Sequence, residues 1–471
     1  MRGVTRAAGT STRFALGARR ITSSPIAVLA IVSLLSLGVR VAWLGAPCRS
    51  PCRSAADHVL VFDEDYYVNA ARAIAGIRPV SGVPYDTTPL GDDGNSEHPQ
   101  LAKLVIAGSI ELFGDGPLAW RLGSFVAGVI AILGMFALAR AAGGGPWLAV
   151  AAAGLMAADN LTLVHSRIGT LDVYALAAMV WAAAVYIQGR PLIAGIVIAV
   201  GTCAKEVTPY VLIVLVLLEV LRLLRSRLSD ATREKGRLRK ELVAGLWRFG
   251  RCLVAAAASL IGLLALLDHA APPYDPVAGK RVTGGPFGHI EHILNYASHQ
   301  TSPHGPRGIA SYPWQWLGDY KPITYLNINP SRPASGLEHV HPAVHFLGMM
   351  SPPILLAGLL GILFAVWSVV RGRWSSSAPS TPARDGGESG PNEVRVTAIA
   401  WFLGTYVPFV LLSLIWQRTS YIYYMLIVMP GLYLAAAELI VPGRRFRMFK
   451  LAWVVAVVVA VIVMYPFTPL P

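Results

Sequence analysis

The chain has 471 residues, with 40 Lys and Arg against 26 Asp and Glu, a formal charge of +14. Charged residues make up 14% and the hydrophobic set 54%, where a soluble domain carries about 25% charged residues. With a mean hydropathy of +0.53, this excludes a soluble globular enzyme and a disordered chain. The basic residues lie between apolar runs rather than on one water-facing surface, which argues against nucleic acid as a partner. A membrane protein oriented by its Lys and Arg accounts for the same charge.

Residues 1–24 form a basic leader with Arg2, Arg6, Arg13, Arg19 and Arg20. The apolar run that follows, 25–44, is longer than the core of a cleaved signal peptide. It reads as an uncleaved first span with a cytoplasmic N-terminus. Further apolar runs occupy 118–140, 146–158, 171–188, 191–203, 207–224, 251–267, 344–370, 396–415, 420–441 and 449–465. A spanning helix needs roughly 20 apolar residues, so the expectation is an all-α polytopic membrane protein with about eleven transmembrane helices. The stretch 101–113 is shorter and carries Lys103 and Glu111; it reads as an interfacial helix.

With eleven spans, Arg140, Arg190, the run 222–251, Arg371, Arg373 and the cluster 444–450 all fall on the cytoplasmic side, as the positive-inside rule requires. A twelfth span at 101–113 would send most of them outside. The expected organisation is an N-terminal transmembrane module over 25–267, containing a first outer loop at 47–117. A second outer loop follows at 268–343, and C-terminal helices over 344–471 carry a Ser/Pro/Gly-rich cytoplasmic linker at 374–395. Residues 225–250 read either as a basic surface helix on anionic lipid or as a solvated loop. Cys48 and Cys52 are either a short-loop disulfide or two free thiols, and Cys203 and Cys252 are small core residues.

Sorting the remaining charges by side brings Asp63, Glu64, Asp65, Glu97, His98, Lys103, Arg121, Asp159, Arg167, Asp172, Lys205, Glu206 and Arg418 to the extracytoplasmic ends of the spans. Ionisable groups at a membrane boundary are costly enough that several on one side mark a functional site. Arg and Lys match phosphate oxygens, and a carboxylate nearby can take a proton from an acceptor hydroxyl. A phosphate ester carried by a lipid would use both, and no Gly-rich nucleotide fingerprint is present.

At these residues the sequence resembles the protein O-mannosyltransferases of the glycosyltransferase C superfamily. Asp63-Glu64 resembles that family's acidic pair. His98-Pro99-Gln100-Leu101-Ala102-Lys103 is similar to its HPPxGK stretch, departing at Gln100 and Ala102. Trp120-Arg121 resembles the arginine that opens the family's second span, and Asp159-Asn160 with Ser166–Asp172 resembles its DN…SRxxLLD segment. Tyr312–Leu317 with Lys321-Pro322-Ile323 is similar to its PWxW…RP stretch, and Arg418–Met425 to its R-x-x-F-x-H-Y stretch, with Tyr where His is common.

The resemblance implies inverting transfer of a sugar, usually mannose, from a polyprenyl-phosphate carrier to Ser or Thr hydroxyls of an acceptor protein or peptide. The reaction would take place outside the plasma membrane. Asp63 is then the general base, and Glu64 helps to position the acceptor peptide or the base. Arg121 binds the carrier phosphate, aided by Arg167, Lys205 and Arg418, with His98, Lys103, Asp159 and Asp172 in support. Glu206 beside Lys205 raises a competing ion-pair role for that lysine. No cofactor or metal ligand set is assigned; a divalent metal shared by Asp63 and Asp159 stays open. The histidines of the second outer loop read as ordinary loop residues. Tyr66, Tyr67, Trp314 and Trp316 either stack on sugar or belong to an interfacial aromatic belt.

Two other functions compete. A related transferase would use a cell-envelope lipid or glycan as acceptor. A transporter or flippase is disfavoured because the charges collect on one side and no repeat is visible.

Overall fold

The computed structural model describes residues 24–49, 52–229, 235–328, 344–371, 391–441 and 447–468. The basic leader, most of the linker 374–395, Arg444 and Arg445, and His339 and His341 lie outside these residues.

The molecule is mostly helical. In chain order its helices are α1 (Pro25–Val41), α2 (Glu64–Ile74), α3 (Leu101–Phe113), α4 (Pro117–Ala141), α5 (Pro146–Ala158), α6 (Asn160–His165), α7 (Asp172–Ile187) and α8 (Pro191–Ala204). There follow α9 (Tyr210–Ser229), α10 (Lys235–Ala270), α11 (Gly285–His299), α12 (Pro313–Trp316), α13 (Pro352–Val370), α14 (Pro391–Trp416), α15 (Met425–Ile440) and α16 (Arg447–Met464). Among the described residues, six helices are long and apolar enough to cross a membrane, and four more of the apolar helices are shorter. Proline at the first turn starts α1, α4, α5, α8 and α13, where its missing N–H costs no hydrogen bond.

Three expectations are corrected. The run at 344–370 is not one helix, since Val344–Gly348 is strand β4, antiparallel to β3 (Ile323–Ile328), and the helix begins at Pro352. With a second small pair, β1 (Tyr274–Asp275) and β2 (Lys280–Arg281), the fold is mostly rather than wholly α. The basic stretch 225–250 is not a separate surface helix; from Lys235 it continues into the apolar run as one 36-residue helix. At 1.5 Å per residue that is about 54 Å, well beyond a bilayer's hydrocarbon thickness.

Small residues let the helices pack closely, as membrane helices require. On α13, a Cβ added to Gly361 would lie 2.5 Å from the Ala435 backbone of α15, and one on Gly358 would lie 2.6 Å from Leu432. The helices α4, α5, α7, α14 and α15 supply most of the main buried cluster, and α2, α3 and the start of α4 enclose a second one around Tyr67, Ile106 and Trp120.

The described parts of the two long loops are joined into a single cap. Backbone pairs join Asp93 to Pro272 and Tyr274, and Arg281 grips Asp92 through Nε (2.8 Å) and Nη2 (2.9 Å). Gln100 donates to Asp268 at 2.7 Å. His289 bonds Asp268 and the Ser96 carbonyl, and His292 bonds Ser96. A disulfide joins Cys48 to Cys52, so the two-thiol alternative is not the arrangement found. At the opposite end of the bundle, Arg222 and Arg225 pair with Glu393, Arg248 with Glu219, and Arg395 with Glu438.

Candidate active site

Asp63 stands at the N-terminus of α2. An aspartate there usually caps the helix by accepting a backbone N–H, but the Asp63 side chain makes no such bond. Its carboxylate instead faces a cavity of about 700 Å³ beneath the cap. Phe62, just before it, has φ of 56°, an uncommon value outside glycine. That turn is held by stacking of Phe62 on Tyr325, with ring centroids 3.9 Å apart. Surrounding protein pushes the Asp63 carboxyl up to about 6; Asp172 adds to the rise, while Lys205, His98 and Tyr67 oppose it.

Around Asp63 the cavity gathers His98, Lys205, Glu206 and Arg418 from three separate parts of the chain. Lys205 follows the last turn of α8, with its ammonium 3.5 Å from Asp172 and 3.3 Å from the Tyr67 hydroxyl. Burial works against its charge, but Asp172, Tyr67, Glu206 and Asp63 hold it protonated. The Lys205–Glu206 pairing considered from sequence gives way to two others: Lys205 with Asp172, and Glu206 with His98 Nδ1 at 2.8 Å. Burial alone would raise Glu206, yet His98 and Lys205 bring it down to about 2. Arg418 reaches the cavity from the segment after α14, which is tied to residues 300–302 by backbone bonds, and its Nη1 donates to the Ala297 carbonyl.

One wall is apolar. Val207, Tyr210, Phe409, Leu412 and Trp416 come from the start of α9 and the end of α14, and Trp416 is 63% exposed on the outer surface. The rest of the wall is rich in tyrosine, including Tyr66, Tyr296, Tyr421, Tyr423 and Tyr424. Sequence reasoning missed most of these tyrosines, because isolated aromatic residues near span ends look like an interfacial belt.

Other expected site residues lie elsewhere. Arg121 is buried, and its Nε and Nη2 each meet Glu64 at 2.7 Å while Nη1 donates to the Leu44 carbonyl. Arg167 donates to the carbonyls of Val39, Arg40, Ala42 and Trp43. Val39 and Arg40 lie in the last turn of α1 and Ala42 and Trp43 just beyond it, so Arg167 works as a helix cap. Neither guanidinium lines the cavity, which departs from the phosphate contacts expected of both. Lys103 is fully buried on Asp93 (2.5 Å), Asn95 and the His98 carbonyl, fixing the loop that presents His98.

Asp159 caps α6 and accepts from Ser351 N at 2.8 Å. Its partners are not those of Asp63, so the metal shared by these two carboxylates finds no support in their surroundings. Among the described residues, the one close His/Cys/carboxylate trio is Cys48, Cys52 and His58, whose sulfurs are bonded to each other. Trp316 is buried in the core and Trp314 stacks on Tyr312.

A multi-pass, mostly helical membrane protein with a charged cavity under a loop cap is the class that this geometry defines. The family model described as dolichyl-phosphate-mannose-protein mannosyltransferase matches residues 97–231. The polyprenol-phosphate-mannose–protein mannosyltransferase of Corynebacterium glutamicum is 35% identical over 127 residues, 26% of this chain and 24% of that protein. The match thus spans about a quarter of the curated relative's length. Among solved structures, the S. cerevisiae protein O-mannosyltransferase Pmt1–Pmt2 complex bound to the sugar donor superposes with a TM-score of 0.66 at 13% identity. That likeness covers 94% of this chain and 90% of the other. It is a likeness of fold; the family match takes in the stretches at His98–Lys103, Trp120-Arg121 and Asp159–Asp172 and does not reach Asp63-Glu64, Tyr312–Leu317 or Arg418–Met425.

Proposed function

We propose that the protein is a membrane glycosyltransferase that moves mannose from a polyprenyl-phosphate carrier to Ser or Thr hydroxyls of proteins, with inversion at the anomeric carbon. The observation that carries this reading is the placing of Asp63 beside Lys205, His98 and Arg418 in one cavity with an apolar wall. The family match and the C. glutamicum relative support the donor and acceptor classes.

In this reading the carrier's polyprenyl chain lies against the α9–α14 wall, and its phosphate meets Arg418 first, with Lys205 and His98 behind. Arg121 and Arg167 take scaffold roles. The acceptor oxygen attacks C1 as the C1–O bond to phosphate breaks, its electrons leaving with the phosphate. The hydroxyl proton passes to Asp63. The leaving phosphate is already a good anion, so charge stabilisation matters more than protonation. The proposed setting is the plasma membrane, with about eleven spans, a cytoplasmic N-terminus, and the cap formed by 47–117 and 268–343 outside.

Purified protein in detergent, given radiolabelled polyprenyl-phosphate-mannose and a Ser/Thr-rich peptide, tests the reading. Wild type should label the peptide, and Asp63→Asn should lose turnover by a factor of about 10² to 10⁴ while still binding the carrier. Because the base must be ionised, activity should fall as pH drops through about 6. The same shift makes the native state hold its proton over a range where the unfolded chain has lost it. Asp63 therefore contributes less to stability as pH rises from 3.8 to about 6. Label on an envelope lipid or glycan instead of peptide would move the acceptor; near-wild-type rates in Asp63→Asn would remove Asp63 as base.

A further inference from the structure

We propose that Tyr325 is a positioning residue for the base. From β3 its ring holds Phe62 in the left-handed turn that directs Asp63 into the cavity, and His165 holds the ring. This deepens the transferase reading and rests on it for the identity of the reaction.

The placement of the tyrosine begins in the strand pair. Ile323 and Thr324 oppose Gly348 and Leu347, whereas Leu326, Asn327 and Ile328 oppose Phe346, His345 and Val344. Tyr325 is therefore the extra residue of β3, with no opposite number on β4. Such a β-bulge re-aims a side chain and recurs beside active sites. Here the aim is inward, for Tyr325 is buried. Gly348 makes room for it, since a Cβ there would lie 2.4 Å from both Cζ and the hydroxyl oxygen of Tyr325.

Two contacts fix the ring. At its tip the hydroxyl and His165 Nε2 share a hydrogen bond of 2.7 Å, the partner that a buried tyrosine hydroxyl needs. His165 is the last residue of α6 and is fully buried. On its face the ring stacks on Phe62, with planes 13° apart and centroids 3.9 Å apart. Tyr423 meets Phe62 edge-on at 5.8 Å, so the phenylalanine is held from two directions.

Phe62 needs that hold. A residue with a Cβ keeps a φ of 56° only where its surroundings over-determine it. The turn has backbone bonds of its own, from Glu64 N to the Val61 carbonyl and from Asp65 N to the Phe62 carbonyl. A Phe62 relaxed to an ordinary φ would redirect the residue that follows, which is Asp63. Tyr325, His165 and Gly348 do not line the cavity, so they act on the base through Phe62 and not on a substrate. The base thus belongs to the first outer loop and its clamp to the second. Contacts of this kind hold a reacting group in one geometry before substrate arrives.

The test compares wild type with Tyr325→Phe, Tyr325→Leu and Gly348→Ala in donor and acceptor titrations. Tyr325→Leu loses both the stack and the hydrogen bond, and kcat should fall by on the order of 10²-fold with both KM values little changed. Tyr325→Phe keeps the stack and should stay within about tenfold of wild type. Gly348→Ala leaves every aromatic residue in place but pushes on the Tyr325 ring, and its kcat should fall between the two. A role in packing alone would lower the unfolding midpoint and leave kcat per folded molecule unchanged.

A readout independent of turnover is amide hydrogen exchange in detergent, followed by mass spectrometry of a peptide spanning 59–68. Tyr325→Leu should speed exchange in this turn by about tenfold or more while peptides of α4 keep their rates. Exchange or kcat unmoved in Tyr325→Leu would overturn the proposal; if that variant does not fold, Gly348→Ala decides by the same two readouts. If wild type fails to transfer mannose, the transferase reading falls by itself, and the exchange rates still decide whether Tyr325 fixes the Asp63 turn.

Discussion

Glu64 accepts four hydrogen bonds, from Val61 N, Gly169 N and two nitrogens of Arg121, all between 2.7 and 2.8 Å. With both oxygens occupied, it joins α2 to α4 and to the turn after α6. Its neighbour Asp63 has the same charge and is open to the cavity. Adjacent acids in the sequence look alike, and only the partner 57 residues away separates their roles.

Breaking a buried pair of this kind leaves an uncompensated charge and costs roughly 3–5 kcal/mol, whereas replacing both members with apolar residues is often near neutral. Arg121→Ala should therefore lose thermal stability, and Arg121→Leu with Glu64→Leu should recover much of it. The check is a double-mutant cycle of unfolding midpoints in detergent. A folded, stable Arg121→Ala protein with weakened donor binding would return Arg121 to the phosphate site.

At the scale of elements, the helices on the apolar runs were legible, because hydrophobic stretches ended by Gly-Pro or Pro leave little choice of boundary. Residues 101–113 and 146–158 fold as helices with those limits. The failures have local causes. Val344–Gly348 is apolar enough to look like the start of a span, but it pairs with β3, and the prolines after it begin the helix. The end of α1 shows what sequence could not supply.

A helix leaves its last four carbonyls without partners, and the Arg167 fork meets two of them, those of Val39 and Arg40, from more than a hundred residues away. The same arginine packs over the Phe467 ring at 4.5 Å. Arg167→Gln should lower the unfolding midpoint, equivalent to roughly 2–4 kcal/mol, and Arg167→Lys should rescue little, since a single ammonium cannot span several carbonyls. Donor KM should stay unchanged in the folded fraction. A raised KM at normal stability would contradict the capping role.

For the whole molecule, the charged residues divide between two ends of one bundle. One end carries the cap, the cavity and its mixed acids and bases; the other carries Arg222, Arg248 and Arg395 in pairs with Glu219, Glu393 and Glu438. A bilayer converts such a division into an orientation, because Lys and Arg near span ends are retained in the cytoplasm. The knitting of 47–117 to 268–343 was not readable from the sequence, since it depends on side-chain partners such as Asp92 and Arg281.

Orientation can be read directly with single cysteines and a membrane-impermeant maleimide in intact cells, as Cys203 and Cys252 are buried and Cys48 and Cys52 are joined. Val277, 97% exposed on the cap, and Arg190, exposed before α8, are suitable positions at opposite ends. Val277→Cys should label at once, and Arg190→Cys only after the membrane is opened. The reverse pattern would put the cavity in the cytoplasm, where a donor presented on the outer leaflet could not reach Asp63.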